Sequence, residues 1–319
     1  MRRLLAGLAA AALAGALVAC GSDSGGGAKT AGGADQVKVG VIPIIDVAPI
    51  YLGQQKGFFK NRNIELTLEA GQGGAAIVPG VVNNQTQFGF SNLTSLMIAQ
   101  TKGLPIKAVA AGVSSTGEAG KDFGAVVVKA DSPIKTAKDL AGKKISVNTL
   151  KNIGDTVTRE SVRKAGGDDK TLNFVEMAFP TMPAALEKGE VDAAWVVEPQ
   201  LSTIKAAGGR EIASTFVDAA PNLTVAAYFT SQKLITENAD LVKRFTEAIN
   251  ESLTYADAHP DEVRAVLATY TKIDEKQRAS LVLPKWPTQI NKESVQTLAS
   301  LGEKDGIFTG TPDLAKLLP

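Results

Sequence analysis

The chain has 319 residues, with 34 Lys and Arg against 33 Asp and Glu, and a formal net charge of +1. This balance, without a basic stripe or a block of like charges, argues against nucleic acid as a partner. Cys20 is the single cysteine, which excludes disulfide bonds, cysteine metal sites and thiol catalysis. His259 is the single histidine and no nucleophile signature such as GxSxG occurs, so we expect no metal, no cofactor and no catalytic residues.

The first segment has the pattern of a secretory signal. Two arginines precede an apolar run that ends in LVACG, and the run is too short for a membrane span of about 20 residues. LVACG resembles a bacterial lipobox, which predicts a signal peptide over residues 1–19 and lipidation of Cys20; an ordinary signal with a chance cysteine is the alternative. The Gly/Ser/Ala-rich residues 20–35 are typical of a flexible tether.

The remaining residues, about 285, are enough for two domains. Strand-like runs alternate with helical patterns throughout, which indicates an α/β fold. The first set consists of predicted strands over 37–42, 64–70, 86–92 and 106–112, with predicted helices over 49–60, 73–85 and 93–103.

The same order recurs about one hundred residues later. Val39 and Phe88 are 49 positions apart in the first set, and Ile145 and Ala193 are 48 apart in the second. Such agreement suggests two similarly built lobes, although a common αβ rhythm could match by chance. The second set has predicted strands over 143–148, 172–178, 191–197 and 210–215, with predicted helices over 154–167, 182–190 and 198–209.

Two segments connect the lobes, and a helical tail follows. Residues 113–142 contain the strand GAVVVK, and residues 215–230 supply another strand-like crossing. Apolar residues keep a helical period over 231–271, with Asn238 or Asp240 as a cap and a break at His259-Pro260-Asp261. We predict that lobe 1 comprises residues 36–118 plus 222–319 and that lobe 2 comprises 119–221.

Ligands of parallel α/β sheets bind beyond the carboxyl ends of strands, where helix N-termini offer free N–H groups. Each candidate there has a plain structural alternative, in which the glycines form turns, Ser91 and Asn92 cap a helix, Asp46 shapes a turn and Trp195 fills the core. The predicted ligand-binding residues are Asp46, Val47, Ala48, Gln72, Gly73, Gly74, Ser91 and Asn92 in lobe 1, and Asn148, Thr149, Thr181, Met182, Trp195 and Glu198 in lobe 2.

The stretch VDAAWVVEPQ ends an apolar strand on Glu198, with Pro199 at a position where a helix tolerates proline. Glu198 therefore either meets a donor on a ligand or is a first-turn helix residue that shapes the cleft. Lys151 is either solvated or faces an anionic ligand. His259 lies in a helix–helix turn of the tail, remote from these loops, and is not predicted to be functional.

An ordered series of segments resembles a known family. VGVIPIIDVAPIYLGQQKGFF, GQGGAAIVPGVVNNQTQFGFSNLTSLMIA and AALEKGEVDAAWVVEPQLSTI resemble the ABC-importer substrate-binding proteins for sulfonates, nitrate, taurine and thiamine pyrimidine precursors. The resemblance covers residues 36–300. It implies an α/β, two-lobed type II periplasmic-binding-protein fold with a hinge of two crossing segments and a C-terminal helical tail.

The resemblance also implies a function. A monomer anchored only by its lipid on the extracytoplasmic face of the cell membrane would capture a small-molecule solute and deliver it to an ABC permease with a separate ATPase. We expect a small organic anion (sulfonate, nitrate-like or aromatic carboxylate), with Phe90 and Trp195 as lining. The alternative is a thiamine pyrimidine precursor or an amine-bearing solute such as taurine, which Glu198 would suit.

Two further functions are weighed. Relatives of this family include enzymes that make the thiamine pyrimidine with an active-site histidine and a cysteine-rich iron motif. This chain departs on both counts, with one remote histidine and one cysteine near its start. A ligand sensor that signals through a separate membrane partner is the other alternative.

Overall fold

The computed structural model describes residues 33–319, and their ten strands form two five-stranded sheets. Lobe 1 is built on one sheet and lobe 2 on the other, as the repeat predicts. The strands are β1 Asp35–Val41, β2 Ile64–Ala70, β3 Phe88–Asn92, β4 Ile106–Ser114, β5 Gly124–Val128, β6 Lys144–Val147, β7 Asn173–Glu176, β8 Ala193–Val197, β9 Arg210–Ala213 and β10 Thr224–Ser231.

The two sheets have equivalent topologies. Their orders are β2-β1-β3-β10-β4 and β7-β6-β8-β5-β9. The fourth strand of each sheet, β10 or β5, runs antiparallel to both of its neighbours. Val39 pairs with Phe88 in lobe 1, and Ile145 pairs with Ala193 in lobe 2. These are the residues whose matching separations predicted the repeat, so the two-lobed α/β architecture is confirmed.

The helices follow the strands as βα units, and several begin at an asparagine. The side chains of Asn92, Asn152 and Asn238 accept a backbone N–H of the helix that each precedes, which stabilises that helix end. The α-helices are α1 Ala48–Gln55, α2 Gly74–Val82, α3 Leu93–Thr101, α4 Ile153–Lys164, α5 Met182–Glu187, α6 Gln200–Ala206, α7 Thr215–Ala219, α8 Gln232–Glu237, α9 Ala239–Ala258, α10 Pro260–Val266, α11 Glu275–Ser280, α12 Lys292–Lys304 and α13 Leu314–Leu317.

The C-terminal helices pack mainly on lobe 1. Phe245 of α9 stacks on Phe88 of β3 with ring centroids 3.7 Å apart, and both rings are fully buried. The predicted break between two tail helices is confirmed, since α9 ends at Ala258 and α10 begins at Pro260. Several predicted helices are shorter than expected; the chain after α2, for example, turns through Asn84 with a φ of 57°, a left-handed conformation that ends a helix.

The chain crosses between the lobes twice, from β4 to β5 and from β9 to β10. The predicted lobe boundaries after residues 118 and 221 fall inside these crossings; that the lobes move as units about them stays a prediction. Within residues 33–319, no helix combines the length and the apolar character needed to cross a bilayer. The predicted signal peptide, Cys20 and most of the predicted tether lie outside the described residues.

Candidate functional site

A small cavity of about 30 Å³ lies between the lobes, beyond the carboxyl ends of β1, β3, β6 and β8. Small-molecule sites usually have volumes of about 300–1,000 Å³, so a solute enters this cavity only if the lobes separate. The lining residues are Ile42, Ile44, Asp46, Phe90, Asn92, Val225 and Ala226 from lobe 1, and Asn148, Ile153, Phe179, Trp195, Val197 and Phe216 from lobe 2.

Helix N-termini of the two lobes meet at this cleft. Asn152 Nδ2, at the start of α4, donates to Ser95 Oγ in the first turn of α3 over 3.0 Å. A Cβ placed on Gly73, which precedes α2, would lie 3.1 Å from Thr149 Oγ1 and 3.2 Å from Asn148 Nδ2. The positive dipole ends of α2, α3 and α4 therefore approach one another, an arrangement that favours an anionic group.

The glycine at the start of α2 allows the helix to approach β3 closely. A Cβ on Gly74 would fall 2.0 Å from Ser91 Oγ, so a larger residue would push the helix away from the strand. Ser91 Oγ donates to the carbonyl oxygen of Asn92, whose side chain in turn accepts from Ser95 N. Ser91 thus supports the turn from β3 into α3, while Asn92 both caps α3 and lines the cavity.

Among the described lining residues, Asp46 is the only one that ionises. It is 3% exposed, and its Oδ1 atom has no hydrogen-bond partner within residues 33–319. Burial raises the pKa of Asp46 to about 7, a hydrogen bond to its own backbone opposes the rise, and the Asp122 carboxylate adds to it. A carboxylate in this position is costly unless a donor compensates it.

Aromatic side chains of lobe 2 form one wall of the cavity. The ring of Trp195 lies 5.8 Å from that of Phe179 and meets Phe216 edge to face at 6.0 Å, measured between centroids. Trp195 Nε1 donates to Thr215 Oγ1 over 3.1 Å, which satisfies the buried indole and fixes the ring. This wall can pack against the apolar or aromatic part of a solute.

Glu198 is fully buried but does not appear among the lining residues. Its Oε1 accepts from Ser202 Oγ over 2.7 Å and from Val282 N over 3.1 Å, and its Oε2 accepts from Ser202 N over 2.9 Å. Burial raises the pKa of Glu198, and the donations from Ser202 and Val282 oppose that rise. The carboxylate thus ties the start of α6 in lobe 2 to the segment after α11.

The structure brings together some of the predicted site residues and not others. Asp46, Asn92, Asn148 and Trp195 line the cavity, and Gly73 and Thr149 meet beside it. Val47 and Ala48 are buried at the start of α1, and Met182 is fully buried at the start of α5. Gly74 begins α2 and packs against Ser91 of β3, and both are buried. Gln72 and Thr181 are exposed, and the Thr181 hydroxyl donates to Ala178 O.

Most of the lining that the sequence analysis missed is apolar. In the sequence, Ile153, Phe179 and Phe216 cannot be distinguished from apolar core residues. Only their three-dimensional position beside the cavity identifies them as lining. An ion pair between the lobes is a second feature that the sequence did not predict. Arg163 Nη1 of α4 donates to Asp305 Oδ1, just after α12, over 2.7 Å, with both side chains largely buried.

No group of three His, Cys, Asp or Glu side chains suited to a metal ion occurs in the part of the chain that the structure describes. His259 stacks on Tyr255 at 3.8 Å between centroids, on the surface of the tail and away from the cavity. Lys151, with a φ of 50°, turns the chain into α4, and its backbone N–H donates to Asp155 Oδ2.

Known proteins share this sequence pattern and this fold. A family model described as NMT1/THI5 like matches residues 44–263, more than half of the chain. Proteins of Brucella abortus, named as binding proteins, are 27% identical over 190 residues; the match covers 59% of this chain and 58% of theirs. The riboflavin-binding protein RibY of Chloroflexus aurantiacus is 23% identical over 256 residues, with 80% of this chain and 70% of RibY covered.

Solved structures agree with the fold. The alkanesulfonate-binding protein SsuA of Xanthomonas axonopodis pv. citri, bound to MOPS, superposes with a TM-score of 0.75 at 16% identity. The superposition covers 92% of this chain and 99% of SsuA. This similarity establishes the two-lobed periplasmic-binding-protein fold for the described residues.

Proposed function

The chain belongs to the NMT1/THI5-like family, and from this membership and the interlobe cleft we propose that it is the solute-binding component of an ABC importer. It captures a small organic anion between its lobes on the extracytoplasmic side of the membrane. It then delivers the solute to a permease that a separate ATPase drives. It is not an enzyme.

The observation that carries this proposal is the meeting of helix N-termini from both lobes beside one cavity. The Asn152–Ser95 hydrogen bond joins the starts of α3 and α4, and Gly73 before α2 approaches Thr149. Asn92, which precedes α3, and Ile153, which begins α4, line the cavity. Peptide dipoles and free N–H groups there stabilise an anionic group after it has left water. The names of SsuA and of the Brucella proteins, which refer to binding, agree with this role.

A second candidate solute bears an amine or another N–H group, as in taurine or a thiamine pyrimidine precursor. The observation that favours it is Asp46, which places a buried carboxylate with an unpartnered oxygen at the same cavity. Glu198 was the expected partner for such a donor, but its hydrogen bonds are already made to Ser202 and Val282.

The proposal extends to attachment and motion. Cys20 carries the lipid that holds the protein at the membrane, and residues 20–35 separate the lipid from the lobes. The protein acts as a monomer whose lobes, bounded after residues 118 and 221, open and close as units. Closure removes water from the solute.

A thermal-shift panel of sulfonates, aromatic acids and aminopyrimidines tests the binding function. A bound solute raises the melting temperature in proportion to its concentration above its dissociation constant. We expect at least one class to do so and to be recovered chemically unchanged by mass spectrometry. Conversion of the solute to a product, or a panel in which no compound shifts the melting temperature, would contradict the proposal.

A fractionation experiment tests the anchor separately. Cys20→Ser should move the full-length protein from the membrane fraction to the soluble fraction of its bacterial host, and the neighbouring Ser22→Ala should leave it membrane-bound. A Cys20→Ser protein that stays with the membrane would overturn the lipid-anchor proposal and leave the solute-binding function untouched.

A further inference from the structure

We propose that Asp46 is the specificity-determining residue of the cleft and that the solute presents an N–H donor to Asp46 Oδ1, in addition to the anionic group that faces the helix N-termini. This inference rests on the proposed solute-binding function and deepens it. It defines the solute class as small organic acids that also bear an amine or another N–H group.

One oxygen of Asp46 has no partner. Asp46 lines the cavity, its Oδ1 is buried, and no donor within residues 33–319 reaches that atom. A buried carboxylate oxygen without a donor is disfavoured, so its presence in a fold that could carry an apolar residue there calls for a compensating group. Because Asp46 lines the cavity, a solute that enters when the lobes separate can supply that donor.

The composition of the lining also supports the inference. Lys, Arg and His are absent from the described residues around the cavity, and Asn92 and Asn148 are the only polar side chains there besides Asp46. A solute that is only an anion would face an unscreened carboxylate in a site of low polarity. A solute that also carries a donor turns that repulsion into a charge-assisted hydrogen bond.

The environment behind Asp46 disfavours an uncompensated negative charge. Burial raises the pKa of Asp46, and the Asp122 carboxylate adds to that rise. Burial also raises the pKa of the Tyr228 hydroxyl, with smaller contributions from Tyr51 and Asp46. Tyr228 also lacks a hydrogen-bond partner in the described residues. Asp122 itself is occupied, since it accepts from Ser115 Oγ and from the backbone N–H groups of Thr116 and Phe123. A donor on the solute would offset this cost and favour the ionised form of Asp46.

Two pairs of probes test the inference, and the members of each pair differ only in an amino group. Their affinities for the wild-type protein are measured by titration calorimetry. One pair is 2-aminoethanesulfonate and ethanesulfonate, and the other is 4-aminobenzoate and benzoate. We expect the amino member of at least one pair to bind tenfold or more tightly than its partner. Equal or tighter binding of the member without the amino group would overturn the inference while leaving the solute-binding function in place.

Two variants at Asp46 locate the origin of the preference. Asp46→Leu removes both charge and acceptor and should reduce the tenfold ratio to less than threefold. Asp46→Asn keeps the shape and a neutral acceptor, and should reduce the ratio most for the alkylammonium probe. Asp155→Asn is the matched control, because Asp155 is another buried aspartate with an unpartnered Oδ1 but does not line the cavity.

The affinity ratios of the variants decide whether Asp46 causes the preference for the amino group. A ratio that survives both Asp46 variants, or that falls equally in Asp155→Asn, would overturn the role of Asp46. If Asp46→Leu does not fold, the Asp46→Asn result with the alkylammonium pair decides alone. Failure of all four probes to bind the wild-type protein would contradict the inference, and the wider thermal-shift panel then decides whether the solute-binding function also fails.

Discussion

Asp46 and Glu198 follow strands of opposite lobes, and both are buried carboxylates, 3% and 0% exposed respectively. Glu198 accepts three hydrogen bonds, two from Ser202 and one from Val282, whereas Asp46 Oδ1 accepts none from the described residues. A strand-end position therefore does not by itself define a role. The carboxylate with protein partners holds the start of α6 against the tail, and we propose that the one without them meets a solute.

The largest effect is expected from removing the partnered carboxylate. Glu198→Ala leaves Ser202 N and Val282 N without an acceptor in a buried site, and should lower the free energy of unfolding by about 3 to 5 kcal/mol, measured by urea denaturation. Glu198→Gln, which retains one acceptor oxygen, should cost about 1 to 2 kcal/mol. A loss below about 1 kcal/mol for the alanine variant would mean that these bonds do not stabilise the fold.

Asp46, the unpartnered carboxylate, should instead make the free energy of unfolding depend on pH. Its pKa is 3.8 in the unfolded chain and about 7 in the fold, so the native state holds the extra proton and stability falls as the pH rises through this interval. Asp46→Asn has no such titrating group and should not lose this stability. The difference in the free energy of unfolding, Asp46→Asn minus wild type, should therefore increase by roughly 3 kcal/mol from pH 5 to pH 8.

This pH series isolates Asp46 by difference, because the variant and the wild type share every other titrating group. The ionisable groups that act on Asp46 or respond to it are Asp122, Tyr228 and Tyr270, of which only Asp122 is an acid with a low ordinary pKa. A stability difference that stays constant between pH 5 and pH 8 would show that Asp46 ionises normally and would remove the contrast with Glu198.

Asp305 is an intermediate case, a buried carboxylate whose partner lies in the other lobe. Asp305→Asn weakens the hydrogen bond to Arg163. It should make the free energy of association between the two lobes less favourable by about 1 to 3 kcal/mol. Small-angle scattering should then report a larger radius of gyration. Asp169→Asn is the control, because Asp169 bonds the same Arg163 within lobe 2 alone; an equal expansion in both variants would contradict an interlobe role.

The smallest effect is expected at the hydrogen bond between α3 and α4. Ser95→Ala removes the partner of Asn152 and should cost about 1 kcal/mol of lobe contact, which corresponds to a severalfold faster release of solute in stopped-flow measurements. Ser300→Ala, whose hydroxyl bonds only within α12, should leave the release rate unchanged. Equal rates in the two variants would exclude this bond from closure.

Much of the fold follows from local pattern. The separations of Val39 from Phe88 and of Ile145 from Ala193 repeat because each pair aligns neighbouring parallel strands, and this alignment fixes the length of the intervening chain. Asp46 and Trp195, selected from the ends of those strands, line the cavity, and their contact with a ligand stays a prediction. Periodicity and strand ends therefore predict architecture and the neighbourhood of the site.

The partners of those residues could not be predicted in the same way. Val282, the third donor to Glu198, is 84 positions away in a segment without a distinctive pattern, and Asp305 is 142 positions from Arg163. Such long-range contacts depend on how the tail returns across both lobes. The apolar wall, including Phe216, looks like core because burial against a solute and burial against protein select the same side chains.

The affinity of the amino-bearing probes for Asp46→Leu and Glu198→Gln tests the central contrast most directly. Isothermal titration at pH 8 should show at least tenfold weaker binding for Asp46→Leu and a change of less than twofold for Glu198→Gln. The reverse pattern, with Glu198→Gln impaired and Asp46→Leu unaffected, would contradict the account and assign solute recognition to Glu198.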